Sequence, residues 1–185
     1  CDTNGGNLPH NIVEMIEAVR NAGFKTPLGI HAHNDTDVAV ANSLVSLQRD
    51  VMHVQGTMNG YGERCGNANL CSVIPNAALK LDIPLRPELN LKQLTSLSRY
   101  ISETANLQHR EDAAFVGNSA FAHKGGIHVS AVQRNRRTYE HIVPEEVGNH
   151  QRVLVSDQAG QSNVVQKAQE MGLTLSDKDD VRQVV

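Results

Sequence analysis

The chain has 185 residues and a formal net charge of −3, with 39% hydrophobic and 20% charged residues. This length allows one domain with a hydrophobic core or parts of two, and the composition is typical of a soluble globular protein. The acidic balance and an aromatic fraction of 3% without Trp argue against nucleic-acid binding, which needs a basic face and stacking rings. No apolar run is long enough to span a membrane, and no stretch has the basic and apolar regions of a secretory signal.

The three cysteines also indicate the compartment. Cys1, Cys65 and Cys71 form an odd set too small for a disulfide framework, which favours reduced thiols and a cytoplasmic location. Two cysteines are likewise too few for a structural zinc site of their own.

The first 80 residues predict alternating helices and strands. A strand ends near Thr3, and a helix begins at Pro9 and stops before Gly23. The remaining predicted elements are a strand over 27–33, a helix over 38–47, a strand over 51–55, a Gly-rich loop over 56–66 and a helix over 67–81. Strand ends that recur every 20 to 30 residues with a helix between them indicate βαβ units and a parallel sheet.

The second half has a different character. Pro84 and Pro87 mark a linker, and an amphipathic helix is predicted over 91–107. Short helices are expected from about 126 and over 163–171, around a basic run at 134–137 and a turn at 144–148. We therefore predict a catalytic α/β part over 1–84 and a linker with a small, mostly helical subdomain over 85–185.

The segment HAHND at 31–35 carries two histidines at the end of a predicted strand. Residues two apart on a strand point to the same side, so His31 and His33 aim their rings in one direction. Carboxyl ends of parallel strands are where such folds place their chemistry, and imidazole suits a catalytic metal. The alternative is a pair of buried histidines that structural hydrogen bonds satisfy.

Residue spacing alone does not decide the roles of two further segments. In the Gly-rich loop, Asn67 could cap the following helix or offer an oxygen to a metal, and Glu63 with Arg64 could form a purely structural pair. The stretch 122–128, with the basic run and Tyr139 behind it, could serve proton transfer and phosphate binding. It could equally be a solvated basic turn at a helix end.

Four motifs in this order resemble one family, the 2-isopropylmalate, homocitrate and citramalate synthases, and its bacterial citramalate synthases in particular. They read CDTNGG at 1–6, HAHND at 31–35, VQGTMNGYGERCGNANL at 54–70 and SAFAHKGGIHVSA at 119–131. The resemblance implies the C-terminal part of a (β/α)8 TIM barrel followed by the subdomain. It also implies condensation of acetyl-CoA, as co-substrate, with a 2-oxo acid, pyruvate, to (R)-citramalate on a route to isoleucine.

The resemblance also implies roles for individual residues. The family binds a divalent metal (Mg, Mn, Zn or Co) through a first-strand Asp, the two histidines and an Asn, which correspond here to His31, His33 and Asn67. Thr3 matches the threonine that contacts the carboxylate of the 2-oxo acid. His128 and Tyr139 match subdomain residues that assist catalysis across a homodimer.

The chain departs from the family pattern in three places. Asp37 replaces a usual Gly, which should alter how the following helix begins and leave the ligands untouched, and Arg49-Asp50 replaces a small pair before the third strand. The family's first-strand Arg-Asp-Gly segment, with the metal-binding Asp and the catalytic carboxylate, is not in the sequence. We therefore expect a fragment that is inactive as a lone polypeptide.

Three alternatives remain open at this stage. The first is a sister synthase that uses 2-oxoisovalerate or 2-oxoglutarate. The second is a 3-hydroxyacyl-CoA lyase of the same barrel superfamily, which should lack the His128 and Tyr139 subdomain. The third is a non-catalytic remnant.

Overall fold

The computed structural model describes residues 1–85, 89–123, 131, 134–154, 165, 167–168 and 171–173. These residues fall into two compact units, Cys1–His109 and Arg110–Val185. The compact units divide after His109, and the domain boundary expected near residue 85 stays a prediction. No helix in the described part of the chain is long and apolar enough to cross a membrane.

The first unit alternates helices and strands, which confirms the predicted α/β pattern. Its elements are α1 (Pro9–Asn21), β1 (Gly29–His31), α2 (Ala39–Leu47), β2 (His53–Gln55), α3 (Leu70–Lys80) and α4 (Leu94–Thr104). The predicted helix over 91–107 is divided, since a 3₁₀ turn over Leu91–Gln93 precedes α4.

The extended segments of this unit lie parallel. Strands β1 and β2 pair in parallel with Ile30 opposite Val54, and Asp2 forms a parallel bridge with Ala32 on the other side. Both strands are shorter than the predicted 27–33 and 51–55. Strand β1 ends at His31 because beyond it the backbone pairs with two different partners. Asp2 and Asn67 form bridges with Ala32 and His33, respectively.

The hydrophobic core lies on one face of this sheet. Ile30 and Ala32 point into it and pack with Ile12 of α1 and Ala39 of α2. Since side chains alternate along a strand, the burial of Ile30 and Ala32 directs His31 and His33 to the opposite face. Packing of the helices therefore determines which side of the sheet carries the polar groups.

Asp37 adopts a left-handed backbone conformation with φ 60°, where the family pattern has glycine. Asn34 compensates, because its Nδ2 donates to Asp37 Oδ1 (3.1 Å) while its Oδ1 accepts from the Ala39 N–H (3.1 Å). Helix α2 accordingly begins at Ala39, one residue later than predicted. Asp50, in the other departing pair, also has a positive φ of 55°.

The described part of the second unit contains two short parallel strands, β3 (Ala122–His123) and β4 (Arg152–Val153). Two 3₁₀ turns, Arg136–Thr138 and Pro144–Val147, lie between them in sequence. The helices predicted from 126 and over 163–171 lie largely outside the described residues, so the mostly helical character of this unit stays a prediction.

Candidate metal and substrate site

The two histidines at the end of β1 bring their rings together. His31 Nε2 and His33 Nε2 lie 3.4 Å apart, and the rings meet edge to face with centroids 5.1 Å apart. Both Nδ1 atoms are buried and have no hydrogen-bond partner within the described residues. The contact between the two Nε2 atoms is within hydrogen-bond distance, whereas no described residue satisfies the two Nδ1 atoms.

The spacing of the two nitrogens fits a shared metal ion. A tetrahedral ion with Zn–N bonds of about 2.1 Å would hold two ligand nitrogens about 3.4 Å apart. In that arrangement Nε2 of each ring would bind the ion. The ligand role of His31 and His33 stays a prediction, but their geometry suits it.

Asn67 lies beside the pair because its backbone forms an antiparallel bridge with His33. Side chains of residues directly opposite in such a bridge point to the same side. The Asn67 amide nitrogen donates to the Tyr61 carbonyl (3.1 Å), and its Oδ1 is buried without a partner among the described residues. An unsatisfied buried carbonyl oxygen next to two imidazoles is a suitable donor for a metal.

The helix cap that sequence reasoning considered for Asn67 belongs to Asn69. Helix α3 begins at Leu70, three residues later than predicted, and Asn69 Oδ1 accepts from the Cys71 N–H (2.9 Å). Residues 67–69 are extended because Ala68 donates to the Ala32 carbonyl (3.0 Å) and Asn69 bridges Thr57. The amide of Asn67 is therefore not used as a cap.

Two glycines allow the loop to close over Asn67. A Cβ on Gly62 would overlap the Asn67 amide. Gly66 has φ +92°, and a Cβ there would overlap the Gly60 carbonyl oxygen, which accepts from the Asn67 N–H (3.0 Å). Glycine is required at both positions by close approach, and at Gly66 also by its backbone conformation.

Thr3 is exposed and follows the bridge that Asp2 forms with Ala32. Asp2 and Ala32 are both buried, and Thr3 begins the turn that leaves the sheet. Arg64 Nη2 donates to the Thr3 carbonyl (2.9 Å). The contact of Thr3 with the substrate stays a prediction.

Arg64 pairs chiefly with Asp35 and more distantly with Glu63, the structural partner considered from the sequence. Its Nε and Nη2 donate to the two Asp35 oxygens at 2.7 and 3.0 Å, whereas Glu63 lies 3.9 Å away. The hydrogen bonds from Arg64 lower the pKa of Asp35, and the carboxylate raises that of Arg64. Arg64 thus ties the H-x-H-N-D segment to the end of the first extended segment.

In the second unit, Tyr139 is 48% exposed and follows a 3₁₀ turn. Its ring meets that of His123 edge to face (6.4 Å), and His123 Nε2 lies 3.1 Å from buried Glu140 Oε1. His128 lies outside the described residues. The sequence does not indicate that His123 and Glu140 form a pair, because the two residues are 17 positions apart.

Within the described ranges, no three His, Cys, Asp or Glu side chains gather closely enough to hold a metal ion. The donor set that the structure brings together is therefore two imidazoles and one carboxamide. Thr3 and Arg64 lie at the same end of the sheet.

Comparison with known proteins gives consistent results. The sequence model of the HMGL-like family matches residues 1–101, and a model described as "Homocitrate synthase post-HMGL domain-like" matches 115–185. The (R)-citramalate synthase of Geobacter sulfurreducens is 54% identical over 181 residues, which cover 98% of this chain and 34% of that protein. The (R)-citramalate synthase of Synechocystis is 57% identical over 182 residues, which cover 95% and 33%.

Homocitrate synthase AksA of Methanopyrus kandleri is 38% identical over 172 residues, which cover 93% of this chain and 43% of that protein. The chain thus spans about a third of the length of the two (R)-citramalate synthases. Among solved structures, the HMG-CoA lyase of Bacillus subtilis superposes with a TM-score of 0.50 at 24% identity, over 58% of this chain and 37% of that one.

The solved structure supports an α/β barrel-type fold, in agreement with the parallel strands and intervening helices. The relatives confirm the predicted resemblance to the 2-isopropylmalate, homocitrate and citramalate synthases. Because its family model covers more than half of the residues, this chain belongs to the HMGL-like family.

Proposed function

We propose that the whole protein is an acyltransferase that joins acetyl-CoA to pyruvate and releases (R)-citramalate and coenzyme A, on a route to isoleucine. The observation that carries the proposal is the convergence of His31, His33 and Asn67 at the end of a parallel strand. The names of relatives 54% and 57% identical to this chain support the choice of product.

The proposal includes the architecture. Residues 1–84 would form the C-terminal strands and helices of a (β/α)8 barrel, and residues 85–185 a linker and a small helical subdomain. The parallel order of β1, β2 and the segment at Asp2 supports this arrangement. So does the position of the polar side chains at the strands' carboxyl ends.

Three atoms of this chain would hold a divalent metal ion: Nε2 of His31, Nε2 of His33 and Oδ1 of Asn67. Mixed nitrogen and oxygen donors suit Mg, Mn, Zn or Co. When bound, such an ion supplies a Lewis acid that polarises the carbonyl group of the 2-oxo acid. A further carboxylate ligand, which the resemblance implies, belongs to a motif that this sequence does not contain.

The remaining residues would bind the substrate and move protons. The Thr3 hydroxyl would donate to the carboxylate of the 2-oxo acid, with Arg64 holding the Thr3 backbone in place. In the reaction, the acetyl methyl carbon loses a proton and bonds to the ketone carbon, whose oxygen gains a proton. Water then cleaves the thioester. His128 and Tyr139 would assist the proton transfers.

We also propose a homodimer in which the subdomain of one protomer serves the site of the other. The family resemblance of the segment that carries His128 and Tyr139 supports this arrangement. Sedimentation of the whole protein should give twice the mass of one chain, and a monomer with full activity would exclude it.

Release of coenzyme A by the whole protein tests the proposed reaction directly. Pyruvate, 2-oxoisovalerate and 2-oxoglutarate are compared at equal acetyl-CoA, with Mn²⁺ supplied. We expect kcat/KM for pyruvate to exceed the others at least tenfold, a difference of about 1.4 kcal/mol in transition-state binding. Equal rates with all three acids would refute the substrate assignment, and a preference for 2-oxoglutarate would favour a homocitrate synthase, the activity named for one relative.

A further inference from the structure

The orientation of the Asn67 side chain follows from a single hydrogen bond. The Tyr61 carbonyl can only accept, so the Asn67 nitrogen that lies 3.1 Å from it must be the donor. The amide oxygen therefore points away from Tyr61. It is this oxygen that is buried without a partner in the described part of the chain, on the side shared with His33.

Tyr61 is itself held at both ends. Its carbonyl also accepts from Thr57 Oγ1 (2.5 Å), and its phenol oxygen lies 3.0 Å from Ser102 Oγ on α4. Ser102 Oγ donates to the Ser98 carbonyl (3.1 Å) and is buried. When Ser102 directs its one proton to the Ser98 carbonyl, it accepts from the Tyr61 hydroxyl.

Asn59 completes the connection between the loop and the helix. Its Nδ2 donates to the Ser98 carbonyl (2.8 Å) and to Ser102 Oγ (3.1 Å), and its Oδ1 accepts from Ser98 Oγ (2.5 Å) and Cys71 Sγ (3.3 Å). The residue has a positive φ of 61°, a conformation that this full set of hydrogen bonds can stabilise. Residues about 40 apart in sequence thereby hold the loop in one position.

We propose that four residues of this network, Asn59, Tyr61, Ser98 and Ser102, form a positioning frame that aims Asn67 Oδ1 at the metal ion. We call these four residues the α4 frame. They are positioning residues that act through Asn67, which the Tyr61 carbonyl contacts. The inference rests on the proposed function, because it takes His31, His33 and Asn67 as the ligands.

The test measures Mn²⁺ affinity by calorimetric titration of the whole protein. Tyr61→Phe removes only the hydroxyl that Ser102 accepts, and Ser102→Ala removes its partner. Loss of a group that orients a ligand weakens metal binding about tenfold or more. Tyr100→Phe is the matched control, since Tyr100 lies on the same helix and is 62% exposed, and its affinity should equal that of the unaltered protein.

The double variant Tyr61→Phe/Ser102→Ala adds a second criterion. If both residues act through one hydrogen bond, the double variant should bind Mn²⁺ no more than about twofold more weakly than the worse single variant. Unaltered affinity in Tyr61→Phe and Ser102→Ala would overturn the α4 frame, and so would equal weakening in Tyr100→Phe.

A reference variant, His31→Ala/His33→Ala, distinguishes failure of the α4 frame from failure of the proposed metal site. If it loses Mn²⁺ binding while the frame variants keep it, the frame is wrong and the metal site stands. If it binds Mn²⁺ as tightly as the unaltered protein, the proposed metal site fails, and the α4 frame with it.

Discussion

Replacing Gly66 by Ala should disturb the site far more than the same replacement at Gly23. Both glycines have a left-handed backbone, with φ +92° and +84°, but a Cβ on Gly23 would meet nothing within 4 Å. Gly23→Ala should therefore lower the free energy of unfolding only by about 1–2 kcal/mol, the cost of a side chain in a left-handed backbone conformation. Gly66→Ala adds displacement of the Gly60 carbonyl, at about 1–3 kcal/mol for overpacking.

The displaced carbonyl is also the acceptor for the Asn67 N–H, and losing that bond adds about 1 kcal/mol. The expected loss for Gly66→Ala is therefore about 3–6 kcal/mol. Urea unfolding of the whole protein measures both variants, and Mn²⁺ titration should show weaker binding in Gly66→Ala alone. Equal destabilisation by the two replacements, with Mn²⁺ affinity unchanged, would refute this reading of the loop.

Three further predictions concern other parts of the chain. Glu140→Ala should lower the free energy of unfolding by about 1–3 kcal/mol, because it removes the hydrogen-bond partner of the buried His123 Nε2. Exposed Glu146→Ala should change it by less than about 0.5 kcal/mol in the same denaturation assay. Burial raises the pKa of the Cys71 thiol, so N-ethylmaleimide should modify it at least tenfold more slowly than Cys65 at pH 8. The unfolded thiol then ionises first, and stability should fall as pH rises above about 8.5, a slope that Cys71→Ala removes. Arg64→Lys keeps the charge but not the paired hydrogen bonds, so KM for the 2-oxo acid should rise severalfold with the melting temperature almost unchanged.

The sequence pattern predicts the sheet and the histidine pair because both depend on short periods. Alternation along one strand brings His31 and His33 together without information about any other segment. The recurrence of strand ends likewise predicts parallel pairing. The structure agrees with both expectations.

The hydrogen bonds that hold the loop and the H-x-H-N-D segment in place could not be predicted from short sequence periods. Arg64 reaches Asp35 across 29 positions, and Asn59 reaches Ser98 across 39. Such pairs depend on how a loop with several positive φ angles folds back on its neighbours, and residue type does not encode that path. Asn67 was one candidate for the cap on α3, but backbone pairing with the sheet keeps it extended and the cap is Asn69.

The central claim is that His31 and His33 bind a metal ion together, and calorimetric titration of Mn²⁺ into the whole protein tests it most directly. The unaltered protein should bind one ion per chain, and His31→Ala/His33→Ala should bind it at least a hundredfold more weakly. A double substitution of the exposed His10 and His53 to Ala is the matched control and should leave the affinity unchanged. Equal Mn²⁺ affinity in the unaltered protein and in His31→Ala/His33→Ala would contradict the claim.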